Sequence, residues 1–447
     1  MLLQKFSLSS TVILRSEPQY YGSYTAFNYK TVETKSLTEA ESKALACIYE
    51  KPAELEEISL ESGMKRKDCE KFLKQMAKSG YIQVNADAPE VKPSGKIKVN
   101  PELYKRFPIP FLSAPSSVDF FITSRCNLSC VHCFANREQQ EKADLPLKDI
   151  DSVFSQLEQM GVLEVRITGG EPLLHREITR ILQLFGKKKF RKVLLTNGTL
   201  LNEDIVLLLK ASGIIPTVSL DDSEAEEHGH FRGVKGSHER TIEGLKLLQK
   251  HGVQYGINCC LNKKNLDRYQ DIIDFASKYG CSRIALLDLK QIGQMSNNPQ
   301  WVPSDKDYQA IFNRLLVAKA KNRKIEVSLD AFMHCYPMQE SVLLAKKGIV
   351  SCKAGTSRLS IGSDGSIYPC NFAISDNHWN MGNIKNESLS DIWFSDKWLF
   401  FRGQTKLNTL RKCKDCKNLK RCNDFYCRLL PYAVYGDELS PPPKCLK

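Results

Sequence analysis

The sequence predicts an α/β protein with a parallel sheet at its centre, open or curled into a partial barrel, and a different small unit at each end. Apolar strand-like runs alternate with helical segments through the middle of the 447-residue chain, which is typical of a parallel sheet. Short strands and three helical segments precede that region, in the order of a winged helix. Closely spaced cysteines follow it and indicate a small unit held together by metal.

The winged-helix unit is predicted to cover residues 1–85. The polar stretch 86–116, which contains proline and glycine, is interpreted as a linker. The predicted strands of the unit lie at 11–15, 24–29 and 81–84, and its predicted helices lie at 37–49, 55–62 and 66–79.

Six strand–helix units are predicted between residues 117 and 330. In a parallel sheet of this kind the loops after the strand ends lie on one rim, and that rim carries the chemistry. The strands are predicted at 118–123, 163–168, 192–196, 215–220, 254–261 and 283–287. Helices are predicted between them, for example at 147–160, 177–185, 203–211, 238–251 and 266–279.

Composition and charge narrow the class of protein. The hydrophobic fraction of 42% is that of a globular protein, and the net charge of +13 favours an anionic partner, although a soluble protein that is simply basic fits it equally well. No apolar run approaches the roughly 20 residues that span a bilayer, and the N-terminus lacks the pattern of a secretory signal. We therefore expect a cytoplasmic protein with no membrane partner. Sixteen cysteines in a reducing compartment indicate metal binding or chemistry.

Three cysteines follow the first strand of the sheet in the spacing C-x3-C-x2-C: Cys126, Cys130 and Cys133. Three close thiolates can hold three irons of a four-iron cube and leave the fourth iron without a protein ligand. A zinc site completed by His132 is the alternative that the spacing leaves open, although a ligand beside Cys133 would be cramped.

Polar motifs follow the next three strands. The second strand runs into Gly169-Gly170-Glu171-Pro172, whose glycines allow close approach of a ligand and whose carboxylate can accept hydrogen bonds from an ammonium group. The third is followed by Asn197. The fourth has Ser219 at its end, and Arg232 follows further on. Polar motifs at four successive strand ends indicate one binding site on one rim.

On these residues the region from about 117 to 330 resembles the radical S-adenosylmethionine (SAM) superfamily, whose pattern is C-x3-C-x2-C and then GGEP on a partial (β/α)6 barrel. The resemblance implies a [4Fe–4S] cluster on Cys126, Cys130 and Cys133, whose open iron binds the amino and carboxylate groups of SAM. It also implies SAM contacts from Gly169, Gly170, Glu171, Asn197, Ser219 and Arg232, and adenine packing by Phe134 or His132.

Seven further cysteines lie in the last hundred residues: Cys352, Cys370, Cys413, Cys416, Cys422, Cys427 and Cys445. A zinc ribbon built from Cys413, Cys416, Cys422 and Cys427 is compatible with their spacing. With Gly365, the GNI segment at 382–384 and the segment 388–393, the layout resembles the SPASM extension of radical SAM peptide-modifying enzymes, here assigned to 331–447. One departure is the four-residue spacer before Cys427, where three is usual.

The SPASM resemblance implies two auxiliary clusters, and so about three [4Fe–4S] clusters in all. One auxiliary cluster would take Cys413, Cys416, Cys422 and Cys445, and the other would take Cys352, Cys370 and Cys427. Some relatives place a fourth cysteine six residues after the first, where this chain has Arg358. The second auxiliary cluster would then have an open iron, or use Cys335.

The whole chain resembles the sactipeptide maturases of bacteriocin biosynthesis. This implies a radical SAM oxidoreductase that joins a cysteine sulfur to an α-carbon in a ribosomally made precursor peptide. The N-terminal unit would bind the leader of that peptide by adding it as a strand to a sheet edge. The resemblance also implies an electron donor such as flavodoxin or ferredoxin. The crosslinked residues and the precursor are not encoded in this sequence.

Several alternatives remain open. The same motifs serve enzymes that form β- or γ-carbon thioethers or carbon–carbon crosslinks, that epimerise residues or that make formylglycine. Lys65-Arg66-Lys67 at the start of the third helix makes an iron–sulfur DNA-binding regulator a further alternative. Because a pure regulator has no need of the GGEP and Ser219 motifs, we expect no nucleic-acid partner.

Overall fold

The structure is a computed structural model. It describes residues 4–9, 12–17, 23–31, 33–85, 107, 109, 111–135, 143–322, 324–329, 352–374, 376–417 and 427–443.

The N-terminal unit contains two three-stranded antiparallel sheets, β5-β1-β6 and β2-β3-β4, and three helices. The predicted helices and the strands near 11–15, 24–29 and 81–84 are present, and β1, β4 and β5 add to them. These added strands lack a sequence signal because they are short or, like β4, bury little more than one side chain. The elements are β1 (Lys5–Leu8), β2 (Val12–Glu17), β3 (Ser23–Asn28), β4 (Glu33–Leu37), α1 (Glu39–Glu50), β5 (Ala53–Glu54), α2 (Leu55–Ser62), α3 (Arg66–Lys78) and β6 (Ile82–Val84).

The sheet β2-β3-β4 has two buried faces, because successive side chains of a strand point to opposite sides. Val12 and Leu14 belong to the core of the N-terminal unit, whereas Ile13 packs into the core of the central sheet. Arg15, only 1% exposed, points the same way as Ile13 and donates from Nη1 to the carbonyls of Pro115 at 3.2 Å and Gly161 at 3.3 Å. Pro115 and Gly161 precede the first two strands of the central sheet. The N-terminal unit is therefore packed against the amino-terminal end of that sheet.

The central sheet confirms the predicted six βα units. The six strands β7 to β12 lie in sequence order within it, and every neighbouring pair among them is parallel. The strands are β7 (Ser117–Phe121), β8 (Glu164–Thr168), β9 (Arg191–Thr196), β10 (Ile215–Ser219), β11 (Gly256–Leu261) and β12 (Arg283–Asp288). The helices are α4 (Leu147–Gln159), α5 (Ile178–Gly186), α6 (Glu203–Ser212), α7 (Ala225–Arg232), α8 (Ser237–Lys250), α9 (Tyr269–Lys278) and α10 (Asp305–Lys321). No helix in the described parts of the chain is long and apolar enough to cross a membrane.

The C-terminal segment continues the central sheet. β14 (Arg358–Ile361) pairs in parallel with β7, with Leu359 opposite Val118, and β15 (Ser366–Tyr368) and β16 (Gly382–Asn383) follow it. β13 (Glu326–Ser328) covers the other edge, next to β12. An uncovered β7 would leave unpaired backbone groups at the sheet edge, and β14 satisfies them.

The C-terminal segment also has an apolar core of its own. Trp393 of α11 (Leu389–Trp393) and Trp398 are fully buried, and the guanidinium of Arg402 lies against both rings. The last helix, α12 (Leu429–Tyr435), follows Cys427. The cysteine spacing predicted a unit held together by metal, whereas this core is built from apolar side chains.

The end of the interpreted linker is part of the folded body. Phe107, Ile109, Phe111 and Ala114 are all buried, and the rings of Phe107 and Phe111 pack on Arg402. We interpreted 86–116 as a linker because it contains prolines and polar residues. The buried side chains of Phe107, Ile109, Phe111 and Ala114 instead place the end of this stretch in the folded body. Apart from residues 107 and 109, the stretch 86–110 lies outside the described residues.

Candidate functional site

The loop after β7, which we call the cysteine loop (residues 122–135), lies against the GGEP segment after β8. The amide of Gly170 donates to Thr123 O at 2.9 Å, and the amide of Glu171 donates to Arg125 O at 2.7 Å. A Cβ on Gly169 would lie 2.4 Å from Thr123 O, and one on Gly170 would lie 2.3 Å from Arg125 O. The two glycines are therefore required by contact between two backbone segments, whatever they contribute to a ligand.

Glu171 joins the ends of β8 and β9. Its side chain is 1% exposed and accepts from the Thr196 hydroxyl at 2.7 Å, from Asn197 N at 2.8 Å and from Leu173 N at 3.1 Å. Burial raises the pKa of Glu171 to about 7, although these hydrogen bonds favour its ionised form. Contact between this carboxylate and the SAM amino group remains a prediction.

Asn197 connects the end of β9 to the cysteine loop. Its Nδ2 donates to Asn127 Oδ1 at 2.9 Å, and Asn127 Nδ2 donates in turn to the Thr199 hydroxyl at 2.8 Å. Asn197 Oδ1 accepts from the amide and the hydroxyl of Thr199. Asn127 lies between two of the predicted cluster ligands, so this network holds the cysteine loop in place.

The three cysteines of the loop are partly buried and interact electrostatically with one another. Burial raises the pKa of Cys126 to about 12, so the protein alone does not favour a thiolate there. A bound metal centre supplies the positive charge that stabilises three thiolates together. The donor set therefore fits an iron–sulfur cluster.

The spacing of possible ligand atoms argues against zinc. Among the residues that the structure describes, one set of three lies within 4.8 Å of one another: His132, Asp221 and Cys260. Around one zinc ion, sulfur ligands at about 2.3 Å would lie only about 3.8 Å apart. Cys126, Cys130 and Cys133 do not form a set within that distance.

His132 does not lie with the three cysteines of its loop as a fourth metal ligand would. Its ring stacks on Phe231, with centroids 4.2 Å apart and planes at 7°, and burial lowers its pKa to about 4. The neighbouring Asp221 is already occupied, because one carboxylate oxygen accepts from Cys260 N and the other from Arg232 Nε. His132, Asp221 and Cys260 therefore offer no open cation site.

Phe134 faces the C-terminal segment. Its ring packs edge-on against Phe121 of β7 at 6.2 Å and against Phe372 at 5.5 Å. Phe372 lies two residues after Cys370, so this contact joins the cysteine loop to a second cysteine set. Packing of Phe134 or His132 on the adenine remains a prediction.

The fourth strand end supplies Ser219, Asp221 and, through α7, Arg232. Ser219 is partly exposed at the end of β10. Burial would raise the pKa of Asp221, but the charge of Arg232 together with weaker contributions outweighs it and holds that pKa below its usual value. Arg232 also reaches the cysteine loop, with Nη1 3.8 Å from Cys130 Sγ.

The structure brings Cys352, Cys370 and Cys427 together. The three thiols interact electrostatically, and burial raises the pKa of Cys352 to about 12 and that of Cys370 still further. Arg358, at the position where some relatives have a cysteine, contributes positive charge to both. Cys335 lies outside the described residues.

The other predicted auxiliary set is only half described. Cys413 and Cys416 lie in one turn, with Cys416 N donating to Cys413 O at 3.1 Å. Cys422 and Cys445 lie outside the described residues, so this ligand set stays a prediction.

The sequence analysis missed the residues that support the site, among them Asn127, Thr196, Thr199 and Gly233. Asn127 and Thr199 carried a signal, because each stands inside a motif at a strand end. Gly233 carried none: its Cβ would lie 2.2 Å from Ser129 O, a contact between segments more than 100 residues apart in the chain.

Two family comparisons match this chain. Residues 120–276 match the radical SAM superfamily, and residues 352–417 match SPASM, an iron–sulfur cluster-binding domain. The first match contains the cysteine loop, GGEP, Asn197, Ser219 and Arg232. The second contains Cys352, Cys370, Cys413 and Cys416.

Curated relatives have several activities. An AdoMet-dependent heme synthase of Methanosarcina barkeri is 28% identical over 76% of this chain and 98% of its own length. The antilisterial bacteriocin subtilosin biosynthesis protein AlbA of Bacillus subtilis is 30% identical over 63% of this chain and 60% of its own length. The mycofactocin maturase MftC of Mycobacterium tuberculosis is 27% identical over 75% of this chain and 84% of its own.

Among solved structures, Streptococcus suis SuiB bound to precursor peptide SuiA covers 99% of this chain and 100% of its own, with a TM-score of 0.76 and 19% identity. Native anSMEcpe with bound AdoMet covers 70% of this chain and 90% of its own, with a TM-score of 0.53 and 21% identity. At these identities the likeness shows the fold alone.

Proposed function

We propose that this chain, a radical SAM protein with a SPASM domain, forms thioether crosslinks between a cysteine sulfur and an α-carbon in a ribosomally made precursor peptide. Its radical SAM domain implies SAM and a [4Fe–4S] cluster, and its SPASM domain binds further clusters. One observation carries the proposal. The pairing of β14 with β7 brings the Cys352 set (Cys352, Cys370 and Cys427) to the cysteine loop, where Phe372 packs against Phe134. A substrate at the rim would then lie between two clusters.

Each residue at the strand-end rim has a proposed role in binding the cofactors. When bound, SAM and the cluster supply a radical that removes hydrogen from a carbon of the substrate. Gly169 and Gly170 hold the cysteine loop, Glu171 and Asn197 would orient the amino end and ribose of SAM, and Ser219 and Arg232 would hold its carboxylate. Cys352, Cys370 and Cys427 bring three thiols together, and the cluster that they would hold would have one iron open to a peptide sulfur unless Cys335 is its fourth ligand.

A peptide substrate is supported by the extent of the comparisons. The heme synthase of M. barkeri matches 76% of this chain over nearly its whole length, whereas SuiB, bound to its precursor peptide, covers 99% of this chain. The N-terminal unit has the sheet edges that a leader needs, because β2 and β4 each pair with one neighbour among the strands that the structure describes. The net charge of +13 favours an acidic leader.

Deleting residues 1–85 would not test leader binding cleanly. The deletion would remove Ile13, Phe27 and Arg15 from the body of the protein and expose the surfaces they cover. Proline substitutions in β4, which is an edge strand, are cleaner. Thr34 and Ser36 are exposed, so Thr34→Pro and Ser36→Pro would disturb backbone pairing at that edge without removing a buried side chain.

The test uses the reconstituted full chain with SAM, a reductant and a Cys-containing precursor peptide from a neighbouring gene. Each thioether removes two hydrogens from the peptide, which mass spectrometry detects, and fragmentation locates the carbon involved. Iron and sulfide should each be about 12 per chain for three clusters. The Cys126→Ala/Cys130→Ala/Cys133→Ala protein is the control and should neither cleave SAM nor modify the peptide.

Three outcomes would count against the proposal. A peptide modified without loss of hydrogen would indicate one of the related reactions, such as epimerisation. Stoichiometric zinc, with iron confined to one cluster, would reject the auxiliary clusters. Binding of the chain to promoter DNA in a mobility-shift assay, without binding to any leader, would favour the regulator.

Modification of an iron porphyrin is a second candidate, favoured by the similarity to an AdoMet-dependent heme synthase over 98% of that protein. The same reconstituted protein, incubated with iron coproporphyrin in place of the peptide, distinguishes the two. A SAM-dependent change in the porphyrin spectrum, with no change in the peptide, would select it.

A further inference from the structure

A buried ion pair lies directly beside the cysteine loop. Asp221 follows β10 and is 1% exposed, and Arg232 ends α7 and is 8% exposed. Arg232 Nε donates to Asp221 Oδ2 at 2.6 Å, and Arg232 Nη1 lies 3.8 Å from Cys130 Sγ. A carboxylate, a guanidinium and a cysteine sulfur therefore form one chain of contacts that ends on a cluster ligand.

The carboxylate is fixed by its surroundings. Asp221 Oδ1 accepts from Cys260 N at 2.9 Å, and the carbonyl of Asp221 accepts from Asn265 Nδ2 at 2.6 Å. The amide of Asp221 donates to His228 Nδ1 at 3.3 Å. With its backbone and second oxygen held in this way, Asp221 leaves Arg232 little freedom to turn away from Cys130.

The end of α7 is fixed against the cysteine loop as well. Ser129 N donates to Arg232 O and Val131 N donates to Phe231 O, each at 3.1 Å. Gly233 adopts a φ of +71° at this point, and a Cβ there would lie 2.2 Å from Ser129 O. The backbone of Arg232 and the backbone on either side of Cys130 therefore move as one unit.

We infer that the Asp221–Arg232 pair sets the reduction potential of the cluster held by Cys126, Cys130 and Cys133. Hydrogen bonds and charge at the cluster sulfurs tune this potential. The guanidinium stabilises the more negative, reduced cluster and raises the potential, whereas Asp221 partly neutralises the guanidinium and limits the rise. Asp221 is thus a positioning residue that acts through Arg232. The inference rests on the cluster and not on the substrate, so it stands separately from the proposed function.

The potential must be measured without SAM, because Arg232 is also the proposed partner of the SAM carboxylate. The full chain is reconstituted and titrated under electron paramagnetic resonance. The signal of this cluster is the one missing from the Cys126→Ala/Cys130→Ala/Cys133→Ala protein. The variants are Arg232→Gln and Asp221→Asn, compared at equal iron content.

The matched control is Asp222→Asn. Asp222 is the next residue, is 3% exposed and pairs with an arginine too, but its partner is Arg268. It thus reproduces the loss of a buried ion pair without touching the chain of contacts to Cys130.

The two test variants should shift the potential in opposite directions. In Arg232→Gln the ratio of reduced to oxidised cluster, at the midpoint of the parent protein, should fall about tenfold, which is about 59 mV for one electron. In Asp221→Asn, which keeps the shape and removes the charge, the ratio should rise, and Asp222→Asn should leave it unchanged.

Shifts of the same sign in both variants, or an equal shift in Asp222→Asn, would overturn the inference. So would weaker SAM binding by Arg232→Gln at an unchanged potential, because Arg232 would then serve SAM alone. If Arg232→Gln fails to hold iron, Arg232→Lys keeps the charge and loses the planar donor. A lowered reduction potential in Arg232→Lys would support a contribution from the hydrogen bond between Arg232 and Cys130. An unchanged reduction potential would overturn that contribution.

Discussion

Arg15 holds the N-terminal unit on the central sheet, and replacing it with methionine should loosen that contact. Arg15→Met keeps most of the buried side-chain stem and removes the guanidinium. This stem lies 3.3 Å from the point where a Cβ added to Gly161 would stand. The change deletes two hydrogen bonds from a charged donor and leaves the carbonyls of Pro115 and Gly161 without them. Bonds from charged donors contribute about 1.5–3 kcal/mol each, so a loss of about 3 kcal/mol follows once water replaces part of it.

That loss corresponds to an increase of about two orders of magnitude in the population with the unit undocked. Hydrogen exchange followed by mass spectrometry measures it, in peptides that cover β2 and the turn around Gly161. Exchange in both should accelerate together, because they form the two sides of one contact. The control is Lys74→Met. The Lys74 ammonium is exposed and pairs with Glu70, so this change should cost less than about 1 kcal/mol.

Unchanged exchange at both peptides of a folded Arg15→Met protein would refute the reasoning. It would mean that Ile13 and Phe27 alone hold the unit in place. Equal acceleration in Lys74→Met would refute it too, since that effect would be a general destabilisation of the unit.

Two further predictions concern the site. Gly233→Ala should lose iron and SAM cleavage while Gly213→Ala keeps both: each glycine ends a helix with positive φ, but an added Cβ meets Ser129 O at 2.2 Å only at Gly233 and meets nothing within 4 Å at Gly213. Iron analysis and 5′-deoxyadenosine release measure this, and equal iron in both proteins would contradict it. SAM binding should weaken about tenfold per pH unit below about pH 7, because the pKa of Glu171 is raised by burial to about 7 and its proposed contact with the SAM ammonium needs the ionised form. Calorimetry between about pH 6 and pH 8 measures this, with Glu171→Gln expected to bind weakly at every pH, and a flat profile for the parent would contradict it.

The central sheet could be predicted closely because its signals are local. Each strand of β7–β12 is a short apolar run between helical segments, and its identity depends on a few neighbouring residues. The positions of Cys126, Cys130, Cys133, Gly169, Gly170 and Glu171 followed from the strand ends in the same way. Short strands such as β1 and β5, and the buried end of the interpreted linker, have no such local signal.

Contacts between distant segments were decided by the tertiary structure. The pairing of β14 with β7 joins residues about 240 positions apart, and no periodicity in either strand specifies its partner. The glycines of GGEP were expected to admit a ligand, but their nearest neighbours are Thr123 and Arg125. Only the folded chain shows that constraint.

The chemistry that this protein can carry could be predicted from three features: three cysteines in a strand-end loop, a glycine–glutamate motif at the next strand end, and a second set of cysteines near the C-terminus. These depend on residue type and spacing, which are local properties. The tertiary structure alone decided that Asp221 presents Arg232 to Cys130 and that Arg15 fastens the N-terminal unit to the central sheet. Such contacts arise when distant segments bury their surfaces against each other, and the buried charges and carbonyls must then find partners that no spacing along the chain reveals.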